Sequence, residues 1–232
     1  MDIYGKALLD YQNNNYTEDL ESETSISTWD VFPLPYLFRS IDEMPEMETK
    51  ALELAKGKVL DIGSGAGSHS LYLQNKGIDV TAIDTSVGAI EVCQARGIKK
   101  TLNQDVTTLS SEKKYDTLLL LMNGAGMAGS LKNTLGFLLK LKELLSPGGQ
   151  ILLDSSDIIY MFEDEDGGTW MDMNKDYYGE VIFKMRYKGQ ESEPFDWVYL
   201  DFDTLKTIAG QAGFTCDKLL EGSHYDYLAR LT

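Results

Sequence analysis

Three glycines at alternate positions directly follow an apolar run near residue 60. The run is Lys58 to Ile62, and the glycines are Gly63, Gly65 and Gly67. Glycine adopts positive φ without strain and lets a ligand approach the backbone closely. A strand that passes through such glycines into a helix is typical of sites that bind a nucleoside or nucleotide. We therefore expect ligand binding at residues 63–67, which we name the glycine turn.

Polar side chains follow three further apolar runs. Asp84 ends the second run, at a place where a carboxylate can accept hydrogen bonds from ribose hydroxyls. Asp105 follows the third run, and Asn123 with Gly124 follows the fourth. Ligands bind beyond the carboxyl ends of the strands in an open α/β sheet, so these groups are expected to lie near the glycine turn.

A parallel sheet would bring these groups together. Between residues 58 and 155, short apolar runs alternate with amphipathic stretches, which predicts βαβ units. The run from Thr117 to Met122 is almost wholly apolar and should be the central strand. An amphipathic helix before Ser146 should end at Pro147-Gly148-Gly149. The expected strands are Lys58–Ile62, Asp79–Asp84, Lys100–Leu102, Thr117–Met122 and Gln150–Asp154.

Charge and cysteine usage limit the partners. The 232 residues include 21 basic and 37 acidic ones, giving a formal net charge of −16 at pH 7. That field repels phosphate backbones, so nucleic-acid and anionic-membrane partners are disfavoured, and the doublets Lys99/Lys100 and Lys113/Lys114 are expected on separate solvated turns. The most apolar run is far shorter than the ~20 residues of a membrane span, and nothing at Met1 resembles a signal peptide, so we expect neither feature. We predict a cytoplasmic protein without a metal site, with Cys93 and Cys216 reduced.

Over roughly residues 50–155 the chain resembles the class I S-adenosylmethionine-dependent methyltransferases. The motifs that carry the resemblance are Asp61-x-Gly63-x-Gly65-x-Gly67, Asp84-Thr85-Ser86, Asp105-Val106 and Leu144-x-x-Pro147-Gly148-Gly149. Phe202-Asp203 and Ala212-Gly213-Phe214 are similar to the last helix of that family and its turn into a closing strand pair. The resemblance implies an α/β fold with a Rossmann-like, doubly wound, seven-stranded sheet, mostly parallel with an antiparallel C-terminal strand.

Two flanking regions complete the expected organisation. Residues 1–50 are predicted to form an N-terminal helical cap, and residues 51–232 the methyltransferase domain. A small β insertion after the fifth strand is expected at about 158–200, with strand character from Val181 to Tyr187. It also contains the acidic run Glu163 to Asp166, which could close as a lid.

The resemblance also implies roles in binding S-adenosylmethionine, whose demethylated product is S-adenosylhomocysteine. Asp61, Gly63 and Gly65, with Ser64 between the glycines, would face the methionine moiety, Asp84 the ribose, Thr85 and Ser86 the adenine edge, Asp105 with the Val106 backbone the adenine amino group, and Asn123 the methionine end through its carbonyl. Arginine presents a rigid fork that suits carboxylates, so we expect Arg39 to pair with the cofactor carboxylate or with Asp61.

Methyl transfer from a sulfonium is an in-line displacement, to which alignment alone can contribute ~7 to 11 kcal/mol. A general base is optional and matters only if the acceptor must lose a proton. The candidates at the strand ends are His69, Asp154, Asp157 and Tyr160, and the sequence assigns none of them.

The expected acceptor is a small molecule whose nucleophilic atom the sequence leaves open, as it does the oligomeric state. Aromatic residues of the flanks could enclose a planar or methylammonium-bearing acceptor, or could simply pack in the core. They are Trp29, Phe32, Tyr36, Tyr160, Phe162, Trp170, Tyr177 and Tyr178. Two alternatives stay open: an NAD(P)-binding Rossmann oxidoreductase, disfavoured by Ser68 in the third-glycine place, and a non-catalytic binding protein with a methyltransferase-like fold.

Overall fold

The computed structural model describes residues 2–162 and 177–232. The acidic run Glu163–Asp166 and Trp170 lie outside these ranges. The helices are α1 Ile3–Gln12, α2 Leu34–Leu37, α3 Glu46–Leu54, α4 Ser68–Asn75, α5 Val87–Ala95, α6 Leu131–Leu144 and α7 Phe202–Gln211. The strands are β1 Leu20–Thr24, β2 Ser27–Phe32, β3 Lys58–Ile62, β4 Asp79–Asp84, β5 Thr101–Asn103, β6 Tyr115–Leu120, β7 Leu145–Ser156, β8 Glu180–Tyr187, β9 Gln190–Glu191, β10 Phe195–Val198, β11 Cys216–Glu221 and β12 Asp226–Leu231. Short 3-10 turns occupy Ile41–Glu43, Val106–Thr108, Gly124–Ala128 and Ile159–Phe162.

The larger sheet has the order β11-β12-β7-β6-β3-β4-β5. Strands β3 to β7 pair in parallel, whereas β12 is antiparallel to both of its neighbours. This arrangement confirms the Rossmann-like, doubly wound sheet and its antiparallel strand near the C-terminus. The chain order reverses between β3 and β6, so their carboxyl ends flank a crevice, the place where open α/β sheets bind ligands.

The central strand β6 is buried on both of its faces. Leu118 and Leu120 belong to the core that includes Phe137 of α6, whereas Leu119 belongs to the core that includes Met47 of α3. All three leucines are 0% exposed. A strand covered by helices on both faces needs an unbroken apolar run, which explains why the sequence identified β6 as central.

Strand β7 is longer than its predicted range. Helix α6 ends at Leu144, as the Pro-Gly-Gly motif indicates, but Leu145 already pairs with Tyr115 of β6. The register then shifts before Gln150 pairs with Thr117. The motif therefore forms an irregularity inside the β6–β7 ladder, and the early pairing starts the strand five residues before the predicted Gln150.

A smaller sheet corrects the expected N-terminal helical cap. Residues 2–50 contain α1, α2 and most of α3, but also the hairpin β1–β2. Strand β1 pairs with β2 on one side and with β8 on the other, where Arg186 forms a bidentate ion pair with Glu21. β8 is the strand predicted inside the insertion. The partner of β1 lies about 160 residues further along the chain, so the sequence around β1 does not reveal this pairing.

Helix α1 lies close against α5. The Asp2 side chain caps α1 by accepting a hydrogen bond from the Gly5 amide at 2.8 Å. It also accepts from the Gly88 amide at the start of α5 at 3.1 Å. A Cβ atom on Gly88 would lie 2.5 Å from the Gly5 carbonyl. The close approach of the two helices therefore depends on Gly88. None of the helices in the described ranges combines the length and the apolar character needed to cross a bilayer.

The substitution Gly88→Ala should destabilise the fold, because the added methyl group forces α1 away from α5. Overpacking of this kind costs ~1 to 3 kcal/mol in the free energy of unfolding, measurable by urea denaturation. Gly136→Ala in α6 is the matched control, since among the described residues its Cβ position has no atom within 4 Å apart from its chain neighbours and the backbone of its own helix. The control should be neutral or stabilising by up to ~1 kcal/mol. Equal effects in the two variants would contradict the packing argument.

Candidate functional site

The glycine turn connects β3 to α4 through left-handed backbone. The φ angles of Gly63, Gly65 and Gly67 are +72°, +53° and +80°. The amides of Gly63 and Ser64 both donate to the carbonyl of Ile83 at the end of β4, at 2.9 and 3.2 Å. These bonds fix the turn over the neighbouring strand, at the crevice edge of the sheet.

Asp84 lies directly beside the glycine turn, as predicted. Its Oδ2 accepts a hydrogen bond from the Gly65 amide at 2.9 Å, and its Oδ1 accepts from the Ser86 amide at 2.8 Å. Burial raises the pKa of the Asp84 carboxyl group, while the two amide bonds oppose that rise. One carboxylate thus holds the ends of β3 and β4 in a fixed relation.

The third strand end adds a polar edge next to Asp84. The Asn103 side-chain amide donates to the carbonyls of Asp84 and Thr85 at 3.1 and 3.0 Å. The exposed Asp105 carboxylate accepts from the amide and the hydroxyl of Thr107, which caps the turn that begins at the buried Val106. Asp105 therefore has a turn-forming role in addition to any role in ligand binding.

The end of β6 is strained. Met122 and Asn123 adopt φ angles of +64° and +59°, which cost about 1 to 3 kcal/mol per non-glycine residue and cluster at functional sites. The backbone N–H of Asn123 donates to the Asp154 carboxylate at 2.9 Å. The Ser156 hydroxyl donates to the side-chain oxygen of Asn123, also at 2.9 Å. Contacts from β7 therefore hold Asn123 at the crevice.

A buried ion network lies behind the glycine turn. Arg39 donates from Nη2 to both carboxylate oxygens of Glu48 and from Nη1 to the Tyr36 carbonyl. His69 Nε2 lies 2.6 Å from Glu48 Oε2. The three charged side chains are each at most 10% exposed. We name them the Arg39–Glu48–His69 network.

The network corrects one expectation about Arg39. Its carboxylate partner is Glu48 of α3 and not Asp61, whose side chain accepts a hydrogen bond from the Ser70 hydroxyl at 2.7 Å. Glu48 lies on the buried face of α3, together with Ala51 and Leu52. Sequence reasoning missed Glu48, although its spacing of three and four residues from these apolar positions was the available signal.

The network also controls protonation. Burial alone would lower the pKa of His69, but the hydrogen bond to Glu48 and the nearby Asp61 charge raise it. Burial would raise the pKa of Glu48, yet the contacts with His69 and Arg39 lower it. Burial raises the pKa of Asp61. The His69–Glu48 contact therefore favours an ion pair, and the Nε2 atom of His69 is engaged inside the protein.

Helix α1 brings two residues to the site that the sequence did not single out. A Cβ atom on Gly65 would lie 2.6 Å from the Tyr4 hydroxyl, so Tyr4 covers the glycine turn. The Asp2 carboxylate accepts from the Ser86 hydroxyl at 2.8 Å. Ser86 also caps α5 through the Ala89 amide, which gives it a structural role at the predicted adenine edge. The N-terminal helix thus closes one side of the crevice.

The remaining base candidates lie beyond β7. Asp157 accepts from the Tyr178 hydroxyl at 2.7 Å and from the Ile159 amide at 2.9 Å. Tyr160 is 45% exposed and stacks on Tyr225 with ring centroids 5.4 Å apart. The Tyr178 hydroxyl was missed as a partner of Asp157, because the two residues are 21 positions apart.

The aromatic residues of the flanks take different positions. Trp29 lies in the smaller sheet beneath Arg186, whose guanidinium carbon is 4.4 Å from the ring centroid. Tyr36 lies beneath Arg39 at 3.8 Å. Tyr177 donates its hydroxyl to Asp201. Among the members of this group in residues 2–162 and 177–232, Tyr36 is the one placed against the Arg39–Glu48–His69 network.

The lysine doublets are closer together than expected. Lys99, Lys100, Lys113 and Lys114 all line one depression at the amino ends of the strands, together with Asp79. The Lys100 ammonium group forms an ion pair with Asp79 at 2.5 Å. The parallel sheet causes this convergence, because it aligns the amino ends of β4, β5 and β6. The depression lies on the opposite edge of the sheet from the glycine turn.

The switch in strand order, the glycine turn and the polar strand ends define a Rossmann-like α/β protein with its ligand crevice at the carboxyl edge. A family model described as a methyltransferase domain matches residues 36–219. The chain therefore belongs to the methyltransferase domain family. This membership decides against the oxidoreductase alternative.

Known proteins extend the comparison. A SAM-dependent methyltransferase from Bacteroides fragilis, crystallised in complex with S-adenosyl-L-homocysteine, is 44% identical, with a TM-score of 0.93 over 100% of this chain and 94% of that chain. The CcbJ methyltransferase from Streptomyces caelestis shares the fold, with 15% identity and a TM-score of 0.62 over 82% of this chain and 93% of that one. A ubiquinone biosynthesis O-methyltransferase from Rickettsia conorii is 29% identical over 115 residues, which cover 47% of this chain and only 38% of that protein.

The substitution Asp154→Asn should stabilise the protein more at pH 8 than at pH 5. Burial, followed by the Glu48 charge, raises the pKa of Asp154 from 3.8 to about 7. A raised carboxyl pKa means that the wild type loses stability as the pH rises from the unfolded pKa through the folded one, whereas asparagine has no charge to bury. Thermal unfolding of both proteins at the two pH values measures the difference. A gain that does not change with pH would refute the burial of a charged Asp154.

Proposed function

We propose that this protein transfers a methyl group from S-adenosylmethionine to a small-molecule acceptor in the cytoplasm. The observation that carries the proposal is the Asp84 carboxylate, held against the Gly65 amide at the switch in strand order. The Bacteroides fragilis relative crystallised with S-adenosyl-L-homocysteine supports the choice of cofactor. Two buried free thiols, Cys93 and Cys216, suit a reducing compartment.

The residues present fit an adenosyl amino acid. Each oxygen of Asp84 accepts one backbone hydrogen bond and keeps a lone pair that can accept a ribose hydroxyl. The positive φ of Gly65 suits a backbone that a ligand approaches closely. Among the described residues, the buried Nε of Arg39 has no hydrogen-bond partner, and a carboxylate is the group that would satisfy it.

The residue roles follow the order of the strand ends. Asp84 binds the ribose, and Thr85 with Ser86 borders the adenine. Asp105 and the Val106 backbone bind the adenine amino group. Asp61, Gly63, Ser64 and the Asn123 carbonyl face the amino-acid end, where Arg39 meets the carboxylate. Both the Asp105 side chain and the Asn123 carbonyl already hold local turns, so each must accept a second hydrogen bond in this role.

Positioning is the main contribution of the protein to the reaction. The bound cofactor supplies an electrophilic methyl group. The glycine turn and Asp84 hold the adenosyl part, and strained Asn123 holds the adjoining segment, so that an acceptor on the β7 side can approach in line. Tyr4 and α1 cover the turn and restrict water. The free energy available from such alignment is ~7 to 11 kcal/mol, which leaves a base optional.

The acceptor enters on the side of β7 and the 3-10 turn Ile159–Phe162. This side presents the Asp157 carboxylate, the Tyr178 hydroxyl and the exposed Tyr160. Asp157 is the best placed of the base candidates, since its carboxylate already accepts a hydroxyl hydrogen bond there. His69 has its Nε2 engaged with Glu48. The net charge of −16 favours a neutral or cationic small molecule over a nucleic acid.

Gly65→Arg and Asp84→Ala should each weaken binding of S-adenosylhomocysteine at least about tenfold in titration calorimetry. The arginine fills the ligand side of the turn, and the alanine removes the ribose acceptors, each charged hydrogen bond contributing ~1.5 to 3 kcal/mol. Asp79→Ala, at the opposite end of the same strand, is the matched control and should bind as the wild type does.

Unchanged affinity in both crevice variants would refute the proposed site. Turnover tests the remaining alternative of a non-catalytic binding protein: a screen of small-molecule acceptors monitors S-adenosylhomocysteine release. Ligand binding without release for any acceptor would favour that alternative.

A further inference from the structure

We propose that Glu48 is a positioning residue that aims Arg39 at the carboxylate of the bound amino-acid moiety. This inference rests on the proposed function, because it concerns the amino-acid end of the same cofactor site. It assigns a function to a buried acidic residue outside all of the sequence motifs.

The contacts of Glu48 restrict Arg39 to one orientation. Both carboxylate oxygens of Glu48 accept from Nη2 of Arg39, and the Tyr36 carbonyl accepts from Nη1. The guanidinium group also lies over the Tyr36 ring, 3.8 Å from its centroid. These contacts occupy one end and one face of the fork. The Arg39 side chain is only 4% exposed, so it has little freedom to turn elsewhere.

The Nε atom of Arg39 is left for a ligand. It is buried and has no hydrogen-bond partner among the described residues. A buried unsatisfied donor costs about 1 to 3 kcal/mol, and more when it belongs to a charged group. A carboxylate satisfies an arginine donor better than a neutral oxygen does. An anionic ligand group is therefore the partner that this donor fits.

His69 also holds Glu48, through a carboxylate oxygen that it shares with Arg39. Its Nε2 lies 2.6 Å from Glu48 Oε2, and it belongs to the first turn of α4, directly after the glycine turn. Asp61 of β3 and Asp154 of β7 also act electrostatically on His69 and Glu48. The position of Glu48 is thus set by the same helix that begins at the proposed cofactor site.

The segment that carries Arg39 is fastened to the same place. The Ser68 hydroxyl donates to the Leu37 carbonyl at 2.8 Å. Arg96 donates to the Ala66 carbonyl at 2.7 Å and to the Phe38 carbonyl at 3.4 Å. Two side chains, those of Ser68 and Arg96, therefore tie the residues just before Arg39 to the start of α4 and to the glycine turn. Glu48 then decides where the Arg39 side chain points.

The test compares two ligands in two variants of α3. S-adenosylhomocysteine carries the amino-acid carboxylate, whereas decarboxylated S-adenosylhomocysteine has the same adenosine, thioether and amino group but lacks it. Glu48→Gln should weaken S-adenosylhomocysteine by about ten- to a hundredfold and leave the decarboxylated ligand within about twofold of the wild type. Glu53→Gln is the matched control, since Glu53 lies on the same helix with a side chain 65% exposed, and it should change neither affinity.

Glu48→Asp provides a second variant in case Glu48→Gln does not fold, as thermal unfolding would reveal. Aspartate keeps the buried negative charge but is one methylene shorter, so its carboxylate no longer fixes the Arg39 fork in the same place and the variant should also weaken S-adenosylhomocysteine selectively. An equal loss for both ligands would mean that Glu48 only supports the fold and would overturn the inference, as would no loss for either. If the wild type bound neither ligand, the proposed function itself would fail.

Discussion

The hydrogen bond from the Gly65 amide to the Asp84 carboxylate joins the ends of two neighbouring strands, and the crevice depends on it. Parallel strands can present their carboxyl ends side by side only if the loops that leave them turn away without covering the edge. The left-handed backbone of Gly65 turns the chain away after β3. After β4, the chain is turned by the hydrogen bond that the Ser86 amide donates to Asp84. One carboxylate therefore both shapes the crevice and occupies its wall.

A second carboxylate, Glu48, organises the charges behind this wall. It lies between two basic side chains, Arg39 and His69, in a region that is nearly inaccessible to solvent. Removing one member of such a cluster would leave an uncompensated buried charge, which is strongly destabilising. Burial raises the pKa of the nearby Asp154 to about 7, so the charged form of this carboxyl group is disfavoured more than that of an exposed aspartate. The charged side chains of the Arg39–Glu48–His69 network thus lie close to the crevice that would hold a charged ligand.

The N-terminal fifty residues bring together parts of the molecule that are remote in sequence. Tyr4 covers the glycine turn, the Tyr36 to Arg39 segment is tied to the start of α4, and β1 pairs with β8 of the insertion. Tyr178, just before β8 of the smaller sheet, donates to Asp157 just after β7, which links that sheet to the β7 side of the crevice. A division into a cap and a catalytic domain therefore describes the order of the chain better than it describes the packing.

The sequence alone determined the central part of the fold and one side of the site. β3 and β4 agree with their predicted limits, and the unbroken apolar run of β6 marked the middle of the sheet, because burial on two faces imposes a pattern that is visible locally. The proximity of Asp84 to the glycine turn followed from parallel strand ends. The hairpin β1–β2, the partner of Arg39 and the covering by Tyr4 were decided only by tertiary structure. Each depends on contacts between residues that are far apart in the chain, and such contacts leave no periodic signal in either segment.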